Sequence, residues 1–305
     1  MSNLRAIAKR ISSVRATMQI TRTMEMVSTA KIRKALERSE EAAPYKDAIK
    51  RMLSNVVDAT LDTSQPLLVV HKEVHAALLI VIASDRGLAG GFNVAVQRRA
   101  HNEAEKLHKQ GIETRIITCG RKPTEFFGAR GIKPVMSFIG ISSEPTTDQV
   151  DHISSYVIDG YSSGAIDKVI IYYQHAKNRV DQQLVAEQLL PIETENLFVP
   201  NDPRHPEALY EITRTKYEKL FEFDPSASAV LGYLMPAYVR TVILHALLDS
   251  AAAEHGARRR AMKSATDNAQ DVITRLSRTY NRVRQGSITT ELNEIIGGAA
   301  ALEDK

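Results

Sequence analysis

The sequence predicts an α/β protein, in which the N- and C-terminal helices form a long antiparallel coiled coil and carry a small doubly wound, mostly parallel α/β domain. Three observations carry this prediction. Apolar residues recur every three and four positions at both ends of the chain, which is the seam of a coiled coil. The middle alternates β-type apolar runs with helix-compatible stretches, the pattern of a sheet covered by helices. Only 6% of the 305 residues are aromatic and none is Trp, a composition suited to long helices packed through Leu, Ile, Val, Met and Ala. The boundaries read from the chain are 1–58, 74–223 and 224–305.

No glycine precedes Gly87, and Pro44 is the only proline in the first 65 residues, so one helix is expected from about Asn3 into the fifties. Its seam is Leu4, Ile7, Ile11, Val14, Met18 and Thr21, spaced 3, 4, 3, 4, 3. Pro44 removes one ladder bond at a cost of about 3 kcal/mol and is expected to kink the helix.

In the middle, Val74–Ser84 is a continuous Leu/Ile/Val-rich run, as expected of a strand covered on both faces. A glycine-rich turn follows at Gly87–Gly91, then a helix over Asn93–Gln110, a strand over Glu113–Cys119 and helices over Pro123–Phe127 and Gln149–Gly160. Asp167–Gln174 and Gln182–Leu189 read as a strand pair closed by a turn at Asn178, and Tyr217–Phe223 as a last strand.

Asp224, Pro225 and Ser226 read as an N-cap with proline in the first turn. The helix after them bends near Pro236 and, run to Ile296, would be roughly 105 Å long at 1.5 Å per residue. Its seam is Met262, Ala265, Ala269, Val272, Leu276, Thr279 and Val283. Neither seam is stable alone, and the economical solution winds the two ends together. Packing of each seam on its own domain, or a coil between two chains, stays open on pattern alone.

The longest apolar run, Ala76–Ala83, has eight residues, where a membrane-spanning helix needs roughly 20. The single cysteine, Cys119, excludes an internal disulfide and a cysteine-based zinc site. Residues 1–24 carry five Lys or Arg and no acid, as transit peptides do, but the apolar seam runs past any cleavage point and reads as mature helix. Residues 1–34 carry a net +7 and residues 255–290 a net +6, which leaves −9 for the rest of a chain whose total is +4. Two basic ends suit nucleic acid, an anionic membrane surface or an acidic protein partner.

Candidate chemistry is sparse. Asp85-Arg86-Gly87-Leu88-Ala89-Gly90-Gly91 lies between strand and helix, where phosphate-binding loops sit, but it lacks the Lys-Ser/Thr of a P-loop and the GxGxxG spacing. A tight turn needing glycine dihedrals explains it equally well. His101 and His108, two turns apart, read as surface residues, and Cys119 as a core thiol. Nothing calls for a cofactor, a metal or a catalytic residue. Arg258-Arg259-Arg260 would form a positive collar on a coil. The end, Gly297-Gly298-Ala299-Ala300-Ala301-Leu302, is small and apolar, a surface that needs a partner.

ITRTMEMVSTAKIRK (20–34), SDRGLAGGFN (84–93), AMKSATDNA (261–269) and YNRVRQGSITTELNEIIGGAAAL (280–302) closely resemble the gamma-subunit family of F-type ATP synthases, in order and spacing over essentially the whole chain. The resemblance implies a non-catalytic rotary shaft, one copy per complex. Its coil would turn inside a hexamer of alpha and beta subunits, with the α/β domain bound to the epsilon subunit and the membrane c-ring. Proton flow through the ring would turn the shaft and drive ATP synthesis in the beta subunits. The family's beta-contacting positions fall on Met24, Arg258, Arg284, Gln285, Thr289 and Glu291, and Ala299, Ala300, Ala301 and Leu302 would turn in an apolar sleeve.

Ala89 stands where many relatives have cysteine, and Cys119 alone does not support the thiol regulation of the chloroplast form. With no convincing transit peptide a bacterial origin is expected, with the chain on the cytoplasmic face of the plasma membrane and no nucleic-acid partner. The competing readings are a nucleotide-binding α/β protein using Gly87–Gly91 and a basic coiled-coil protein that binds nucleic acid.

Overall fold

The structure is a computed structural model and describes residues 2–60, 65–142, 145–178, 180–192 and 223–303. The side chains of residues 2–3, 58–60 and 297–303 lie outside that description. The elements are α1 (Ser2–Thr60), β1 (Ala76–Ile82), α2 (Phe92–Lys109), β2 (Glu113–Cys119), α3 (Arg121–Gly128), β3 (Met136–Phe138), α4 (Thr147–Ser162), β4 (Lys168–Ala176), β5 (Gln182–Leu190) and α5 (Ala227–Glu303).

Five strands form one sheet in the order β3-β2-β1-β4-β5. All neighbours are parallel except β4 and β5, an antiparallel hairpin. Strand side chains alternate between faces, so β1 feeds two cores. Ala77, Leu79 and Val81 lie with Val96 and Ala100 of α2 and Phe127 of α3. Leu78, Ile80 and Ile82 share the other core with Ile153 and Val157 of α4, Leu53 and Val56 of α1, and Leu231, Met235, Val239 and Leu247 of α5. The doubly wound, mostly parallel sheet is therefore as expected.

Local chemistry explains several ends. Thr146 and Gln149 form a capping box that starts α4. Asn178 Oδ1 accepts from the N–H groups of Val180 and Asp181, both at 2.7 Å, and so closes the β4–β5 turn.

Several expectations need correction. β3, three residues at the sheet edge, is too short to show periodicity in the sequence. Ser226, whose Oγ accepts from Ala229 N at 3.2 Å, caps α5, so Pro225 precedes the helix instead of opening its first turn. Pro44 lies inside α1, which runs on through it to Thr60 as one helix. The proposed strand Tyr217–Phe223 falls outside the described residues apart from Phe223. An 18-residue window in α5 reaches a mean hydropathy of 1.4, enough by length and composition to cross a membrane, and a third of it is buried inside the fold.

The chain divides into two compact units, residues 1–29 with 258–305, and residues 30–257. The division cuts both long helices instead of following their ends. Residues 53–57 and 231–247 belong to the sheet's core, which draws those lengths of helix into the α/β unit.

Candidate functional site

The first unit is a two-helix coil. From Leu4 to Thr21 each seam position of α1 is partly buried and every residue between them is exposed, the burial period of about 3.5 that a coiled coil requires. Met262 and Ala269 of α5 are buried, and Ala265, Val272, Leu276, Thr279 and Val283 are partly buried. The seam positions read from the sequence are thus buried or partly buried along each helix.

Thr21 Oγ1 lies 2.7 Å from Thr266 Oγ1. Both hydroxyls are also within reach of carbonyls on their own helices, Met18 O at 3.0 Å and Met262 O at 2.9 Å. Two protons serve three contacts, so one hydroxyl donates across the coil while the other donates back along its helix. From this pair the antiparallel register follows: Met18 is level with Ala269, Val14 with Ile273, Ile11 with Leu276, Ile7 with Tyr280 and Leu4 with Val283. Ile273 and Tyr280 are seam residues that the one-sided spacing overlooked.

Beyond Ser287, α5 runs past the beginning of α1. Ile288, Leu292, Ile295 and Ile296, a stripe at helical spacing, are 48–67% exposed. Arg284, Gln285, Thr289 and Glu291 are exposed on the same stretch. The other two expected contact residues are less open, Met24 being half-buried and Arg258 only 7% exposed. Of the expected collar, Arg258 is buried, Arg259 partly buried and Arg260 exposed. Ala299–Leu302 continue the helix, and their side chains lie outside the described residues.

The loop after β1, in the α/β unit, is built differently from a phosphate loop. Asp85 turns its carboxylate inward, accepting from Arg121 N and Gly140 N at 2.8 Å and Ser142 N at 3.2 Å. Burial works to raise the Asp85 pKa, but these bonds outweigh it and hold the carboxyl below its usual range. Asn93 Oδ1 accepts from Ser84 N and Ser84 Oγ, and Asn93 Nδ2 reaches Arg86 O. Ala89 and Phe92 pack on Ala253 and Ala257 of α5. Gly90 has φ +60°, as a tight turn needs, but the second left-handed position is Leu88 at φ +62°, not Gly87 or Gly91. The backbone N–H groups beside this turn are thus taken up by the chain's own carboxylate.

Cys119 is fully buried and its thiol is pushed up to about 12, chiefly by burial. His101 is partly buried, standing edge-on to Phe126 and Phe127 at 5.9 and 6.3 Å, whereas His108 is exposed.

Sequence reasoning also missed a polar cluster where β4 meets α5. Asp249, 2% exposed, accepts from His175 Nδ1 at 2.6 Å and Ala176 N at 3.0 Å. One turn away the Nδ1 of His245 is buried with no hydrogen-bond partner among the described residues. Burial first, then Lys46, lowers the His245 pKa from 6.5 to about 4. Between those values the unfolded chain binds a proton there and the folded chain does not, so stability falls as pH drops from 6.5 toward 4. Thermal midpoints recorded over this range are expected to decline, and His245→Phe is expected to flatten the decline.

The family model described as ATP synthase matches residues 3–302. The ATP synthase gamma chain of Pelotomaculum thermopropionicum is 42% identical over 303 residues, covering 99% of this chain and all of the relative. That of Symbiobacterium thermophilum is 37% identical over 304 residues, with 99% of each covered. Among solved structures, a chain of the Euglena gracilis mitochondrial ATP synthase, in an assembly of OSCP, F1 and c-ring, superposes with a TM-score of 0.65 at 17% identity over 99% of this chain and 95% of its own. A chain from the central stalk and c-ring of the Tetrahymena thermophila mitochondrial enzyme gives a TM-score of 0.57 at 23% identity over 81% and 99%. The paired seams, the overhanging end of α5 and the full-length matches agree, and the chain belongs to the ATP synthase gamma chain family.

Proposed function

We propose that this chain is the central-stalk rotor subunit of an F-type ATP synthase, one copy turning inside a ring of three alpha and three beta subunits. The observation that carries the reading is the overhang of α5, where an exposed apolar stripe extends beyond its partner helix from a two-helix coil. Exposed apolar residues in line need a partner surface, and a surrounding ring supplies one without an interlocked contact. The coil gives the stiffness that torque requires.

In this reading Arg284, Gln285, Thr289 and Glu291 meet the beta subunits through exposed contacts worth about 0–1 kcal/mol each, weak enough to break and reform during rotation. Met24 and Arg258 offer only their edges, and Ala299–Leu302 turn in an apolar sleeve. The α/β domain binds the epsilon subunit and the c-ring at the cytoplasmic face of the bacterial plasma membrane. Proton flow through the ring turns the assembly, and the beta subunits carry the chemistry, leaving this chain non-catalytic. The nucleotide-binding reading finds little support, because the backbone N–H groups of Arg121, Gly140 and Ser142 beside the β1 loop already bind the Asp85 carboxylate.

Co-expression with the alpha and beta subunits of the same organism, followed by native mass spectrometry and ATPase assay, tests this. One copy with three of each partner, active as a complex and inactive as the free chain, is the expected result. A free chain that ignores alpha and beta but binds ATP or RNA would overturn it.

A further inference from the structure

In doubly wound sheets the crevice at the carboxyl ends of the strands takes the ligand, often an anion held by backbone N–H groups and a helix N-terminus. Here the chain fills that crevice itself. Asp85 leaves the end of β1 and reaches across the ends of β2 and β3, where Arg121 N, the first N–H of α3, and Gly140 N and Ser142 N converge on its two oxygens. Its own N–H in turn donates to Ser142 Oγ at 3.2 Å. Three donors from two separate loops thus meet one anion, and no neutral residue of that size can accept from all three without offering a proton to one of them.

We propose that Asp85 is a built-in anion that occupies the oxyanion cradle of the α/β domain and takes the place of a diffusible ligand. The residue is a positioning residue. By tying the β1 loop to the two loops beside it, Asp85 fixes the backbone of residues 86–92, whose Ala89 and Phe92 grip Ala253 and Ala257 of α5. Gln174 Nε2, donating to Phe92 O at 3.2 Å, secures the same loop from β4. The hold on α5 is therefore set by a covalently attached carboxylate, so it does not vary with nucleotide or phosphate concentration. This inference stands apart from the rotor reading, because it concerns the domain's own architecture.

Chemical rescue in the full-length chain tests it. Asp85→Ala, which empties the cradle, is expected to lower the thermal midpoint by roughly 5–10 °C, and formate, acetate or phosphate at high concentration is expected to restore at least half of the loss. If the variant does not accumulate folded, refolding yield with and without these anions is the readout. Asp85→Asn keeps the cradle filled but uncharged, and is expected to lose stability without responding. Wild type, and the exposed-site control Asp148→Ala, are expected to respond equally weakly. An Asp85→Ala chain as stable as wild type, no recovery with any oxyanion, or equal recovery in the asparagine variant would each overturn the proposal.

Discussion

Leu276→Asp is expected to cost about 2–4 kcal/mol and to abolish assembly with the alpha and beta subunits, because it places an unpaired charge in the coil seam. Leu276 is partly buried, which sets the estimate below that for a core position. The register fixed by Thr21 and Thr266 puts it level with Ile11, so the carboxylate would meet apolar residues on both helices. The loss is confined to the coil. Helical circular dichroism is expected to fall while the near-ultraviolet signal of the buried sheet tyrosines, Tyr172 and Tyr173, persists. Arg275→Asp, one residue away on the exposed side, is expected to melt within about 0.5 kcal/mol of wild type. A Leu276→Asp chain that keeps its coil and assembles normally would contradict the seam.

Gly120→Ala is expected to be as severe for a different reason. Gly120 has φ +112°, and a Cβ built on it would lie 2.3 Å from the carbonyl oxygen of Ala83 and 3.0 Å from that of Ser84. Both obstacles are backbone at the end of β1, where Ala83 N donates to Cys119 O and Lys122 N to Ser84 O. Neither can move without breaking the β1–β2 pairing. The Gly120 N–H also donates to Phe138 O at 2.7 Å, so the same shift would detach β3. With the strained dihedral added, a loss above about 3 kcal/mol is expected, read as a lower thermal midpoint or as insoluble expression. A midpoint within a degree or two of wild type would show that the backbone can yield here.

These two sites show what the sequence can and cannot disclose. The seam around Leu276 is legible because every layer repeats the same local rule. The spacing of α1 fades after Thr21 only because polar Glu25, Ser28 and Ser39 occupy inward positions, and the burial stripe itself continues through Ile32 to Leu53. β1 and β2 were plain from their apolar runs, whereas β3 borrows its stability from β2 and carries no signal of its own.

At the β1 loop the motif was visible but its mechanism was not. The partners of Asp85 are backbone N–H groups 36 to 57 residues away, and backbone donors leave no mark in a sequence. Arg284 and its neighbours are exposed by the structure, but their role as contacts comes from the resemblance and not from spacing.

Rotation of the shaft can be watched in single complexes. The alpha–beta hexamer is fixed to a surface, a probe is attached to the α/β domain of this chain, and ATP is supplied. A rotor subunit is expected to turn in one direction, in steps that match the three beta subunits. Sustained ATP hydrolysis with a stationary probe would contradict it.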